Sequence, residues 1–233
     1  MEIAGDRVES EIGVVLTKPS LDPSATALVI VDMVKGEVLR DCGMGRVAAM
    51  ENRLNLYYYE RVEDTVLPNL VKLLAAFRAK RLPIAHVRIR CDDDEARDWP
   101  PIHRAHALRR QVFPCRPGLT EYEWHPLVEP LAGEPVVEKH SVSVFNSTGL
   151  AGILRGMGAR HLVFGGVMTN YGVGHSAIDS TDLGFHATVV EDACAAATQR
   201  THDSWLTAST DLYLRVLSTK RVLTELSSST GSV

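Results

Sequence analysis

The chain has 233 residues, of which 45% are hydrophobic and 23% charged, and its formal net charge is −4. This length and composition fit one α/β domain with a full hydrophobic core. The negative charge offers no electrostatic attraction to nucleic acid or to an anionic membrane, and no apolar run approaches the roughly 20 residues of a membrane-spanning helix. We therefore predict that neither nucleic acid nor a membrane is a partner.

The cysteines and the N-terminus indicate a cellular compartment. Cys42, Cys91, Cys115 and Cys194 lie far apart and form no C-x-x-C pair. This spacing is typical of reduced thiols rather than of a disulfide framework or a zinc site. The first residues are acidic and lack the basic and apolar regions of a signal peptide. Together these features predict a cytoplasmic protein.

Strand signals alternate with helix signals along the chain. In chain order they predict a strand at 26–32, a helix at 63–81, strands at 82–88 and 134–138, a helix at 148–157, a strand at 161–165, a helix at 170–183, a strand at 187–191 and a helix at 198–215. The strands are continuously apolar, which is typical of a parallel sheet covered on both faces. The fold class is therefore predicted to be three-layer α/β/α with a central, mostly parallel sheet.

No repeat or low-complexity linker divides the chain. Residues 1–24 are polar and are assigned to an N-terminal arm, 25–218 to the main α/β domain, and 219–233 to a loose C-terminal tail. Substrate specificity is expected to come from the segments 36–60 and 91–126, the second of which is predicted to form a lid. Within the first segment, three consecutive tyrosines are interpreted as packing or subunit-contact residues.

Polar residues and a glycine-rich turn follow three of the predicted strands. Asp32 ends the first strand, Lys139 follows the strand at 134–138, and the turn 166–173 leads from a strand into a helix. Ligands of open parallel sheets bind at the carboxyl ends of the strands. We therefore expect Asp32 and the turn to share one pocket, which Lys139 joins if its strand is parallel to the others.

These three features together resemble the isochorismatase-like hydrolase superfamily. The resemblance covers roughly residues 25–215 and implies that fold, a small-molecule substrate, no cofactor and a homo-oligomer (a dimer or tetramer). It implies proton transfer by Asp32 and polarisation of the site by Lys139. It also implies a cis peptide bond between Val167 and Met168.

In the superfamily, the turn after the strand forms one wall of the pocket. The resemblance implies that the backbone N–H groups of Met168 and Gly172 face the substrate, where a helix N-terminus favours negative charge. Thr169 and Asn170 of the same turn are assigned to substrate binding with Met168.

Gly172 stands where most of the superfamily has a nucleophilic cysteine. Activation of a thiolate for attack on an amide needs that side chain, so Gly172 closes the covalent route. Either the glycine is native, or it replaces a cysteine. A native glycine resembles the vinyl-ether hydrolases, in which a protonated aspartic acid donates to a vinyl carbon and water adds to the resulting oxocarbenium ion. Asp32 would then be a general acid with a raised pKa.

Three functions remain open at this point. The first is vinyl-ether-type hydrolysis with Asp32 as the general acid. The second is a cysteine-type C–N amidohydrolase whose nucleophile at position 172 has been replaced, because Thr169 and Asn170 look more like the amidohydrolases than like the vinyl-ether enzymes. The third is a non-catalytic protein that binds a small molecule in the same pocket.

Two further groups of residues are candidates for ligand binding. Arg88 and Arg90 alternate along a predicted strand end, so we expect one of them to face the pocket and bind a substrate carboxylate. His103 and His106 follow an acidic stretch, but they lack the spacing of the metal-binding relatives. We therefore predict no metal site.

Overall fold

The computed structural model describes residues 5–9, 15–93, 95–110, 116–210 and 214–228. Cys115 and the last residues of the predicted tail lie outside the described residues. Within the predicted N-terminal arm, strands β1 (Gly5–Glu9) and β2 (Val15–Pro19) form an antiparallel pair.

Six further strands form one sheet, and all of its neighbouring strands are parallel. They are β3 (Thr26–Val31), β4 (Ile84–Ile89), β5 (Val136–Lys139), β6 (His161–Val167), β7 (His186–Ala195) and β8 (Arg215–Leu217). Their order is β5-β4-β3-β6-β7-β8. The chain runs outward from β3 in one direction and then returns to build the other half, so the carboxyl end of β3 lies at the switch point where such sheets bind ligands.

Helices connect the strands and cover the sheet. They are α1 (Lys35–Val38), α2 (Gly43–Met50), α3 (Leu56–Arg61), α4 (Leu67–Ala79), α5 (Pro101–Arg110), α6 (Leu150–Gly156), α7 (Gly174–Asp182), α8 (Gln199–Thr210) and α9 (Thr219–Ser228). One π-helical turn, Val62–Val66, joins α3 to α4, and another, Thr169–Val173, precedes α7. None of the helices in the described ranges is long and apolar enough to cross a membrane.

The central strand β3 is buried along its whole length because both of its faces are covered. Leu28 and Ile30 pack into a core with residues of α4 and α9. Ala27, Val29 and Val31 point to the opposite face, where α6, α7 and α8 supply the partners. The predicted three-layer α/β/α fold is confirmed, and the apolar run that predicted it is explained by this double coverage.

The C-terminal part differs from the sequence prediction in two places. The helix predicted at 198–215 ends at Thr210, and the edge strand β8 begins at Arg215. Residues assigned to the tail from 219 onward instead form α9, whose Val222 and Leu226 are buried in the core beside α4. This short helix has few apolar positions, and serines follow them. The sequence therefore gives only a weak signal for an apolar helix face that packs on the core.

We predict that Leu226→Ala destabilises the protein by about 2–5 kcal/mol, because it removes a fully buried side chain and leaves a cavity. Thr224→Ala, on the exposed side of the same helix, is the matched control and should change the free energy of unfolding by less than about 0.5 kcal/mol. Urea unfolding of the full chain measures both. Equal stability of the two variants would contradict the placement of α9 in the core.

Candidate active site

Asp32 and Lys139 form a buried ion pair at the carboxyl edge of the sheet. Asp32 directly follows β3, and Lys139 is the last residue of β5, two strands away. The Lys139 Nζ lies 2.8 Å from the Asp32 Oδ2, and the two residues are 1% and 7% exposed. The lysine reaches this position because β5 is parallel to β4, which is the condition that the sequence analysis set. Lys139 also donates to the carbonyl oxygen of Ser141 at 3.3 Å.

The environment of Asp32 keeps a proton on its carboxyl group more readily than water does. Burial raises the pKa of Asp32, and it outweighs the Lys139 charge and hydrogen bonds from Lys139 and the Ile89 backbone, which lower it. The other carboxyl oxygen, Oδ1, is buried and has no hydrogen-bond partner among the described residues. Oδ1 is therefore the oxygen that is available to carry and donate a proton.

Gly172 lies against the Asp32 carboxylate. A Cβ atom built on Gly172 would be 2.7 Å from the Asp32 Oδ2 and 3.0 Å from the Val167 carbonyl oxygen. A side chain at 172 would therefore require the Asp32 carboxylate to shift. The structure brings Asp32, Lys139 and Gly172 close together, and their catalytic roles stay a prediction.

The turn that carries Gly172 begins with a cis peptide bond between Val167 and Met168, as the resemblance implied. Just before it, Gly166 has a φ of +114°, and a Cβ atom there would lie 2.1 Å from the carbonyl oxygen of Val31. Only glycine permits this approach between β6 and β3. The close approach brings the turn beside Asp32.

Three buried or half-buried side chains, linked by hydrogen bonds, support the turn. Thr169 Oγ1 lies 2.8 Å from His202 Nδ1, and His202 Nε2 lies 2.9 Å from Arg61 Nη2. Because a guanidinium group only donates, Nε2 accepts and Nδ1 carries the proton that Thr169 accepts. Burial and the Arg61 charge lower the pKa of His202 to about 4. The Thr169 side chain, predicted to bind substrate, therefore contacts neutral His202 and anchors the turn.

A cleft of about 780 Å³ opens at the turn after β6, where Met168 and Tyr171 line it, and Asp32, Lys139 and Gly172 are buried behind its lining residues. Its walls come from α1, α2 and the segment after it, from α3 and α5, from the turn after β6 and from the segment before α8. The lining residues are Glu37, Met44, Val47, Ala48, Glu51, Arg53, Asn55, Tyr58, Tyr59, Ile102, His103, Met168, Tyr171 and Ala197. Of the residues predicted to bind substrate, Met168 lines this cleft.

Several lining residues were missed or interpreted differently from the sequence. Tyr58 and Tyr59, interpreted as packing residues, form part of the wall, and Ile102 and His103 of α5 come from the segment predicted as a lid. Glu37 was not singled out at all. Its only signal in the sequence is a position five residues after Asp32, which does not show whether its side chain faces the cleft.

Arg88 and Arg90 do not face the cleft. Both bind Glu138, at 2.7 Å from Arg88 and 2.6 Å from Arg90. The strand register pairs Arg88 with Glu138 and Ile89 with Lys139. Because side chains alternate along a strand, Arg88 points away from the face that Lys139 occupies. The expectation that one arginine reaches into this cleft is corrected by this register.

A cluster of potential metal ligands lies near Lys139. Asp92, Asp98 and His140 each bring one ligand atom within 4.8 Å of the others, and His140 Nδ1 is hydrogen-bonded to the Asp98 carboxylate. The sequence did not reveal it, because Asp98 and His140 are 42 residues apart. His140 Nδ1 bonds to the Oδ2 atom of Asp98, while Asp98 Oδ1 is buried and has no hydrogen-bond partner among the described residues. A metal-free site stays our prediction.

No cysteine in the described residues replaces the missing nucleophile. Cys42, Cys91 and Cys194 are buried and free. Burial raises the pKa of Cys91 to about 11 and that of Cys194 to about 12, so both stay protonated thiols near neutral pH. Covalent thiolate chemistry therefore has no candidate among them.

Comparison with known proteins identifies the family of this chain. Residues 26–221 match the model of the Isochorismatase domain. The chain belongs to the isochorismatase family. It is an isochorismatase-family hydrolase, and the resemblance drawn from Asp32, Lys139 and the turn is confirmed.

Among its relatives, the isochorismatase family protein YecD of Escherichia coli O157:H7 is 29% identical over 88% of this chain and 98% of its own. The ureidoacrylate amidohydrolase RutB of Klebsiella pneumoniae is 30% identical over 75% of each chain. In structure, an isochorismatase family protein from Desulfovibrio vulgaris matches with a TM-score of 0.71 and 23% identity over 87% of this chain and 98% of its own. This structural match supports the fold.

We predict that Gly172→Ala destabilises the protein by about 1–3 kcal/mol, because the added methyl group displaces the Asp32 carboxylate from its place. Gly152→Ala is the matched control: it lies exposed in α6 with nothing within 4 Å of the added Cβ, and it should stabilise by about 0.5–1 kcal/mol. Chemical denaturation measures both changes.

The same clash is tested by a double-mutant cycle. In an Asp32→Ala background the space beside Gly172 is open, so the cost of Gly172→Ala should fall. An unchanged cost would show that the carboxylate is not what fills the space.

Proposed function

We propose that this protein hydrolyses a small molecule with Asp32 as the general acid and water as the attacking nucleophile, in the manner of vinyl-ether hydrolysis. The observation that carries the proposal is the packing of Gly172 against Asp32. Where a nucleophilic side chain would stand, the site has a carboxyl group whose pKa burial raises.

The geometry supports each part of this reaction. The buried Oδ1 of Asp32 donates its proton to the vinyl carbon, and the positive charge that develops on the substrate is stabilised by the resulting carboxylate. Water then adds to the oxocarbenium ion, and the hemiketal collapses to an alcohol and a keto acid. No covalent bond to the protein forms, so the reaction needs no side chain at position 172.

Lys139 has two effects on this chemistry. Its ammonium group is 2.8 Å from Oδ2, so it fixes the orientation of the carboxyl group and leaves Oδ1 free. It also stabilises the ionised form of Asp32 once the proton has left, which speeds proton transfer but lowers the fraction protonated beforehand. Burial of the pair offsets this second effect.

A second candidate is C–N bond hydrolysis of an amide or ureido compound. The similarity to RutB favours it, as do Thr169 and Asn170 in the turn. It requires a cysteine at position 172 in the active form. A side chain there would displace the Asp32 carboxylate, which is the observation against it.

We predict that Asp32→Asn lowers kcat/KM for a vinyl ether by about 10²–10⁴-fold, because the amide cannot donate the proton. Pyruvate release from isochorismate and related vinyl ethers measures this, coupled to a dehydrogenase that reports pyruvate. Asp182→Asn, an exposed substitution in α7, is the control and should keep the wild-type rate. Turnover that survives Asp32→Asn would rule out the proposed mechanism, and binding without turnover in every variant would indicate a non-catalytic binding protein.

We predict that Gly172→Cys creates no hydrolysis of ureidoacrylate and slows vinyl-ether turnover, because its Cβ displaces Asp32. The assay follows ammonia release and pyruvate release on the same variant. Amide hydrolysis that appears only in Gly172→Cys would replace the proposed function with the C–N amidohydrolase.

A further inference from the structure

Glu37 is a carboxyl group of the cleft that the mechanism above does not use. It lies in the four-residue helix α1, five positions after Asp32, and lines the cleft with Tyr58 and Met168. The Tyr58 hydroxyl donates to the Glu37 backbone carbonyl at 3.1 Å, which fixes the main chain at this point. Its side chain is half-buried.

We propose that Glu37 is the second acid–base residue of this site, the one that takes the proton of the attacking water. The inference rests on the proposed function, since it assigns another step of the same reaction. Two geometric observations support it. Of the two acidic residues that line the cleft, Glu51 is paired with Arg53, whereas Glu37 forms no ion pair with a basic side chain of the described residues. The Tyr58 hydroxyl also fixes the Glu37 main chain beside the cleft.

The charges around Glu37 come from every element packed against it. The charges of Asp32 and Lys139 act on it from the end of the sheet, and Tyr58 and Tyr59 lie beside it on α3. Burial raises the pKa of both tyrosine hydroxyls, and the Glu37 charge adds to this rise. Across the cleft are the ionisable residues Glu51, Arg53 and His103. Burial raises the pKa of Glu37 to about 7, the Asp32 charge adds to this, and Lys139 opposes it.

The carboxyl groups of Asp32 and Glu37 therefore share one cation, the ammonium group of Lys139. Two ionised carboxylates beside a single ammonium group would leave one buried negative charge without compensation. The pair therefore keeps one proton near neutral pH, and its protons leave in two coupled steps. A site with one protonated and one ionised carboxyl group has both an acid and a base.

The proton balance of the reaction closes with these two groups. The reaction begins from the form of the pair in which the shared proton is on Asp32 and Glu37 is ionised. Asp32 gives this proton to the vinyl carbon, and a C–H bond forms. Water forms the new C–O bond and loses a proton to ionised Glu37. As the hemiketal collapses, its hydroxyl returns a proton to Asp32, the old C–O bond breaks, and Glu37 gives its proton to the departing alcohol. Both carboxyl groups end in the state in which they began.

The first test needs no substrate. Carboxyl ¹³C NMR of the full chain should show a glutamate that titrates with a midpoint near 7, and this signal should vanish in Glu37→Gln. In Asp32→Asn the midpoint should fall, because the neighbouring negative charge is gone. A Glu37 midpoint near its ordinary value of 4.5 in the wild type would overturn the inference, whatever the substrate.

Thermal unfolding checks the same titration. A carboxyl group whose pKa rises on folding makes stability fall as pH increases from its ordinary value of 4.5 to about 7. Glu37→Gln should remove this fall and leave the melting temperature at pH 7 equal to or above that of the wild type. A lower melting temperature at pH 7 would assign Glu37 a structural role instead.

The kinetic test uses the vinyl ether. Glu37→Gln should lower kcat by about 10²–10⁴-fold with little change in KM, and the bell-shaped pH profile of kcat/KM should become single-limbed. Glu37→Asp, which keeps a carboxyl group, should recover part of the rate. Glu60→Gln, exposed on α3, is the control and should keep both rate and profile.

The outcomes separate this inference from the proposed function. Loss of activity in Asp32→Asn together with a wild-type profile in Glu37→Gln would overturn the role of Glu37 and leave the proposed function intact. Absence of any vinyl-ether turnover in the wild type would contradict the proposed function. In that case the NMR titration, with its shift in Asp32→Asn, still decides whether Glu37 shares a proton with Asp32.

Discussion

The site depends on one buried ion pair, between Asp32 and Lys139, and on the absence of a side chain at Gly172. Burial of two opposite charges is stabilising only when each satisfies the other, and removal of one partner typically costs about 3–5 kcal/mol. The pair is held at 2.8 Å, and Gly172 lies against the Asp32 carboxylate. The three residues therefore form one unit, and the chemistry available at any one depends on the other two.

The fold creates this unit through its strand order. β3 lies at the centre of the sheet, and its neighbours β4 and β6 belong to opposite halves of the chain. Their carboxyl ends meet around Asp32, because parallel strands end at the same edge. Gly166 allows β6 to come close enough for the turn to reach Asp32. Arg61 and His202 hold that turn in place through hydrogen bonds. The apolar core thus fixes the position of polar groups that could not stabilise one another in water.

Acid–base chemistry is consistent with the charge balance of the site. A cysteine hydrolase needs a thiolate, and the buried cysteines of the described residues have pKa values raised above the neutral range. Burial also raises the pKa of carboxyl groups, and for them the shift favours the protonated form that can donate a proton. Asp32 and Glu37 both show this shift. The same desolvation that makes the thiols inert makes these carboxyl groups suited to proton transfer.

The sequence by itself determined the layer architecture, the strand ends that carry Asp32 and Lys139, and the lack of a nucleophile at Gly172. These are local properties, because an apolar run, a strand-end residue and a missing side chain are each visible within a few positions. Tertiary structure decided which side chains meet. Glu37 faces the cleft, Arg88 points away from it, and α9 packs on the core, since these outcomes depend on strand register and on contacts between segments far apart in the chain. A one-residue difference in register reverses the face of every side chain in a strand, and nothing within a single segment specifies it.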